Sequence, residues 1–228
     1  MKKTIIKRAF LDSLPVLSGY MVLGIGFGII LEKEGYGFIW AFLMSALIYA
    51  GSMQYAGVEL ISSMASLPVV AITTLMVNAR HLFYGISMID KYKGAGAKKP
   101  YMIFALTDET YSLVCYTKYD RKEDNHLYSF FVSLFNQCYW VSGSLIGSIL
   151  GSALPFDTRG IEFSMTALFV TVFVEQWINA KNHAPALVGL VASALCLVIF
   201  GRDNFLIPSM IAILFLLTIM KGRVIGDE

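Results

Sequence analysis

TTLMVNARHLFYG, residues 73–85, sets a guanidinium and an imidazole side by side, Arg80 and His81, inside an apolar run. No charged residue occurs from Leu60 to Ala79, and none from Leu82 to Ile89. An arginine at the centre of a membrane helix costs on the order of 3 kcal/mol on insertion scales. Two readings follow. Either the segment ends here and Arg80 snorkels to an interface, or the helix breaks and its exposed groups line a site.

The rest of the chain makes the membrane setting firm. Of 228 residues 57% are hydrophobic and 15% charged, with a mean hydropathy of +0.65. A soluble domain carries roughly 25% charged residues, and this chain has too few to cover a water-facing surface. The charges are also segregated: residues 127–156, 184–201 and 204–220 contain none. Runs of about 18 or more such residues read as membrane helices. The segments are continuously apolar, without the period-two alternation of a β-barrel. The sequence therefore predicts an all-α polytopic membrane protein with about six to eight apolar segments, forming a single domain over 1–228. Cys115, Cys138 and Cys196 lie scattered in apolar segments without metal-ligand spacing, so neither a disulfide framework nor a metal is implied. A P-loop, HExxH and GxSxG are absent, which argues against an ATPase or a common hydrolase. No cofactor and no nucleic-acid partner are expected.

The basic start MKKTIIKRAF precedes an apolar run that no small-residue cleavage site closes, and a retained first helix is expected at 14–31. Further segments are read at 38–57, 67–90 with an interruption at Asn78–His81, 101–117, 127–150, 161–179, 184–200 and 204–220. In the first, Gly24 and Gly28 lie four apart, a spacing that lets helix backbones approach closely in lipid.

The chain also resembles itself. YMVLGIGFGIIL (20–31) aligns with YWVSGSLIGSIL (139–150) at an offset of 119, with six of twelve positions identical. MSAL (44–47) aligns with MTAL (165–168), Gln54 with Gln176, and Arg80 with Arg202, at offsets of 121 to 122. A nearly constant offset predicts a duplication, residues 11–118 and 127–221. The basic N-terminus and the loop carrying Lys91, Lys93, Lys98 and Lys99 are expected on the cytoplasmic side. An even number of crossings must separate them. If 38–57 and 67–90 are broken or re-entrant and together cross once, the first copy crosses three times, and the second copy is inverted. Inverted repeats with broken helices are common in secondary transporters.

Polar residues inside these segments are the candidates for function. Ser52 and Gln54 in AGSMQYAG either support helix packing or contribute to a substrate path. Asn78 and His81, three apart, share a helix face. Arg80 could hold a carboxylate or tie to a buried acid such as Asp108. Asp108 and Glu109 in ALTDETYSL read either as the first turn of a helix capped by Thr107 or Asp108, or as a proton or amine site facing the interior. Both cannot point the same way, since neighbouring helix residues diverge. Glu175, beside Gln176, lies 13 residues beyond Glu162 and is a further proton-coupling candidate. Trp177 and Lys181 read as interfacial anchors.

LDSLPVLSGYMVLGIGFG, SALIYAGSMQYAG, TTLMVNARHLFYGIS and ALTDETYSL, taken in order, resemble the AzlC family, the large subunit of bacterial branched-chain amino acid exporters. The likeness is strongest over 11–117, and the family pattern usually has leucine where this chain has Ala79. The resemblance implies export of leucine, isoleucine, valine and often methionine across the bacterial cytoplasmic membrane. It further implies a small AzlD-type membrane partner, and energy from the proton motive force rather than a nucleotide. A zwitterionic substrate needs an anion site, a cation site and an apolar pocket. Arg80 or broken-helix N-termini suit the first, Asp108 or Glu175 the second. The rival classes are a membrane-embedded enzyme using His81 with Asp108, and a non-transporting scaffold subunit.

Overall fold

The computed structural model describes residues 2–117, 119, 121–153, 163, 167, 170, 173–174, 177–178 and 182–224. The described residues are mostly helical, with no strand among them. The chain divides into two compact units, Met1–Met165 and Thr166–Glu228.

The first unit is organised by two helices of equal length, α1 (Lys2–Lys33) and, much later in the chain, Lys122–Ala153, each of 32 residues. At 1.5 Å per residue each is about 48 Å long, more than a bilayer core requires. α1 begins well before the predicted segment, so its lysines extend beyond the apolar stretch as part of the helix. Between the two long helices lie six short ones: α2 (Phe38–Leu47), α3 (Gly51–Ser62), α4 (Leu67–Val77), α5 (Ala79–Met88), α6 (Lys99–Phe104) and α7 (Asp108–Tyr116). The second long helix is α8.

Three of the expected segments are thus broken, each at a definable place. The α2–α3 break is at Ile48–Ala50, where Tyr49 takes a left-handed φ of 46°. The α4–α5 break is at Asn78, between Thr74–Asn78 backbone pairing and the restart at Ala79, with a bend of 48°. The α6–α7 break is at Ala105–Thr107, where Thr107 is extended and accepts the Thr110 amide, the usual chemistry of a helix start.

Hydrogen bonds reveal the direction of each pair. Ser62 at the end of α3 donates to Glu34, just beyond α1, so α2–α3 enters and leaves at the same end. α4–α5 then runs the length of α1, because Met88 packs against Ile5 and Ala9 near the start of α1. Lys91 beyond α5 donates to the carbonyls of Val114, Cys115 and Thr117 at the end of α7. The α6–α7 pair therefore also folds back to the end it came from. Helices of six and nine residues reach only about 9 and 14 Å, and neither crosses a bilayer alone.

That second hairpin corrects the expected topology. Three net crossings before α8 would set it antiparallel to α1. The contacts show α8 running parallel to α1. Phe10 meets Phe135, Asp12 accepts from Tyr128, and at the other end Glu32 accepts from Ser148 and touches Gly151. The expectation of inversion does not hold for these two helices. The glycines that suggested the duplication face each other across this contact. A Cβ on Gly24 would lie 3.0 Å from the Ser144 nitrogen and the Trp140 carbonyl, and one on Gly28 would lie 2.6 Å from the Ser148 nitrogen. Only glycine permits backbones this close. By contrast, Gly19 on the same helix meets nothing within 4 Å.

The second unit contains α9 (Ala184–Asn204) and α10 (Leu206–Val224), which pack on each other. α9 is long and apolar enough to cross a membrane over Ala184–Gly201, and Gly201 breaks its helical geometry with φ 72° and ψ 175°. Trp177 stacks on His183 with ring centroids 4.2 Å apart. Lys181 lies outside the described residues.

Candidate functional site

The two hairpin tips meet halfway along α1 and α8. Tyr49 of the first packs against Phe104 of the second, ring centroids 6.3 Å apart. Tyr20 of α1 and Trp140 of α8 flank them edge to face, at 5.5 Å. A chain reversal inside a membrane protein leaves backbone groups unpaired by helix bonds, so it must be buried in protein or line a cavity. Here side chains from α8 supply partners. Gln137 donates to the Ala46 carbonyl at 3.1 Å and accepts from Tyr101 at 2.6 Å.

Three helices begin close together at this level: α3 at Gly51, α5 at Ala79 and α7 at Asp108. Arg80, second residue of α5, reaches the other two. Its Nη1 forms an ion pair with Asp108 at the start of α7, and its Nη2 donates to Ser52 Oγ at 2.8 Å in the first turn of α3. Ser52 is buried. The Arg80 and Asp108 side chains retain 29% and 30% exposure, so the pair sits at an accessible edge of the protein interior. Arg80 Nε is buried and makes no hydrogen bond.

Asp108 and Glu109 diverge around α7, as adjacency on a helix requires. Glu109 accepts a hydrogen bond from the Tyr20 hydroxyl at 2.6 Å, and that hydroxyl also lies 2.8 Å from Thr107 Oγ1. Thr107 donates to Thr110 Oγ1, which accepts from Asn136 Nδ2 at 3.0 Å. Among the described residues no cation forms an ion pair with Glu109. Two adjacent carboxylates thus have opposite surroundings, one paired with a guanidinium and one hydrogen-bonded only by neutral groups.

The other expected residues separate into groups. Gln54 is fully buried, its amide oxygen taken by Trp140 Nε1 at 2.8 Å and its nitrogen directed at Ser45. It secures the first hairpin to α8 and presents no free group. Asn78 marks the break, and its carbonyl lies 3.2 Å from His81 Nδ1. His81 turns from Arg80 towards a cavity between α5 and α6. Glu175 and Gln176 lie outside the described residues.

Sequence reading did not single out Tyr20, Thr110, Asn136 or Trp140, which complete the network. A signal existed for some of them: Asn136 and Gln137 are the only amides in the charge-free stretch 127–156. Among the described residues no cluster of three His, Cys, Asp or Glu could hold a metal ion.

Residues 15–154 match the family described as AzlC protein. The branched-chain amino acid transport protein AzlC of Bacillus subtilis is 43% identical over 215 residues, covering 94% of this chain and 85% of that protein. An uncharacterized membrane protein of Haemophilus influenzae is 44% identical over 214 residues, covering 93% of this chain and 87% of that one. The inner membrane protein YgaZ of Escherichia coli is 26% identical over 192 residues, covering 79% and 78%. No solved structure matches the chain. With more than half its length matching the family and relatives above 40% identity along nearly all of it, the chain belongs to the AzlC family of membrane proteins.

Proposed function

We propose that this protein is the integral membrane subunit of an exporter of branched-chain amino acids, leucine, isoleucine and valine, with methionine as a further substrate. The observation that carries the reading is the sharing of one guanidinium between two opposed hairpin tips, Arg80 on Asp108 and on Ser52. A substrate carboxylate competes with Asp108 for Arg80 through charge-assisted hydrogen bonds. The freed Asp108 then accepts the substrate ammonium. The three helix N-termini around Arg80 favour the anion further. The apolar side chains around the tips receive the aliphatic group, and such a surface discriminates between one methylene more or less by only about 1–3 kcal/mol. A group of related substrates is the physical expectation.

Coupling to the proton motive force falls to Glu109. It has a neutral donor in Tyr20 and no cationic partner among the described residues, so it can gain a proton without breaking an ion pair. Asp108 cannot, because its charge holds Arg80. The setting we infer is the bacterial cytoplasmic membrane with a cytoplasmic N-terminus. A small AzlD-type subunit completes the exporter. The name of the Bacillus subtilis relative, a branched-chain amino acid transport protein, supports the substrate class.

The test is efflux of preloaded leucine from cells expressing the chain with its partner subunit. Arg80→Gln is expected to abolish efflux, while Glu109→Gln leaves leucine exchange but removes uphill export. Undiminished uphill export by both variants would refute the assignment.

A further inference from the structure

α5 packs on α7 through Tyr84 and Tyr111, whose rings stack at 4.9 Å. Towards α6 it leaves a cavity of about 550 Å³. The cavity runs beside α5 from His81 to Ile89, about 12 Å at helical rise. Its walls are aliphatic and open sideways: Leu82, Ile86 and Ile103 are 63%, 66% and 53% exposed. At the end away from the hairpin tips the chemistry changes. Tyr92 is buried to 2% exposure yet its hydroxyl makes no hydrogen bond, and Lys99 stands at the rim. Burial pushes the Tyr92 phenol well above its ordinary range, so it remains a neutral donor. The surrounding loop, residues 90–99, holds Lys91, Lys93, Lys98 and Lys99 against one acid, Asp90. Lys91 is engaged with the α7 carbonyls, which leaves the positive field to the other three.

An aliphatic trough that opens towards the hydrocarbon, with ammonium groups at its interfacial end, is complementary in charge and polarity to an anionic amphiphile. We propose that the α5–α6 cavity is a binding site for an anionic phospholipid. One acyl chain lies along Leu82, Ile86 and Ile103, and the phosphate is held by Lys99 at the rim. Basic pockets at the interfacial ends of membrane helices bind such headgroups. The site has a consequence for the centre of the protein. α5 carries Arg80, and the hairpin that supplies the opposite wall carries Asp108, so a lipid in the trough braces the two elements that the ion pair joins.

The test uses the purified full-length chain in detergent, with phosphatidylglycerol or phosphatidylcholine of identical acyl chains added and bound lipid counted by native mass spectrometry. Phosphatidylglycerol is expected to be retained at least several-fold better. Two variants probe the two ends. Lys99→Gln removes a charge from an exposed position. Gly85→Leu fills the trough from a glycine whose Cβ would meet nothing within 4 Å, so it adds bulk without a clash in the fold. Each is expected to lower phosphatidylglycerol retention about fivefold or more, and glycerol phosphate without acyl chains should not compete. Equal retention of both lipids, retention unchanged in both variants, or full competition by glycerol phosphate would each overturn the proposal. So would L-leucine displacing the lipid, which would make the trough a substrate vestibule.

Discussion

The two hairpins, α2–α3 and α6–α7, share a geometry and differ in the chemistry that fastens them. α2–α3 turns at Tyr49 and is held by uncharged bonds to α8: Gln137 on Ala46 and Trp140 on Gln54. α6–α7 turns at Ala105–Thr107 and places two carboxylates at its tip, one on Arg80 and one under Tyr20. The first hairpin is fastened to the scaffold. The second is fastened to a helix break through an ion pair, the contact at which we propose the substrate exchanges. Arg80 touches both tips, but it meets a neutral hydroxyl, Ser52, on the first and a carboxylate, Asp108, on the second.

The comparison breaks most sharply at Arg80. Arg80→Gln removes the two charge-assisted hydrogen bonds proposed for the substrate carboxylate, at about 1.5 kcal/mol each. Leucine efflux per folded molecule is therefore expected to fall roughly a hundredfold, at about 1.4 kcal/mol per tenfold. If a Gln54 variant lost as much transport per folded molecule, the division between the hairpins would fall. Glu109→Gln ranks next. The amide preserves an acceptor for Tyr20, so thermal stability should change less than in Gln54→Leu. Uphill export should be lost while leucine exchange persists, read as efflux that no longer responds to the proton gradient. Gln54→Leu should do the reverse. It leaves the Trp140 indole N–H unpaired and buried, costing about 1–3 kcal/mol in thermal unfolding, while folded molecules keep their transport rate. The smallest effect is Thr107→Ala. Loss of the cap on α7 costs about 0.5–2 kcal/mol, measurable as a lower unfolding temperature with the substrate range unchanged.

Some of this was legible in the chain before any coordinates. The charge-free lengths identified the membrane, and the interruption in TTLMVNARHLFYG fell at the observed break. The pairing of Arg80 with Asp108 was among the open readings, because a lone guanidinium between apolar runs calls for an acid and few were near. The glycine match at an offset of 119 pointed to a close helix approach, which occurs between the matched helices themselves. What the chain did not reveal was the folding back of residues 99–116, since an apolar segment of that length reads equally as a short crossing. The consequence was an expected inversion where α1 and α8 run parallel. Gln54 was left open between packing and a substrate path, and its amide bonds to Trp140, a residue 86 positions away.

The sequence by itself determined which stretches are apolar enough for a bilayer and that one of them breaks at Asn78, because insertion energy and backbone preference depend on neighbouring residues. Tertiary structure alone decided which way each broken segment turns and which acid Arg80 holds. A short helix has no preferred direction until a partner satisfies its open end, and the partners, Trp140, Gln137 and Tyr20, come from helices distant in the chain.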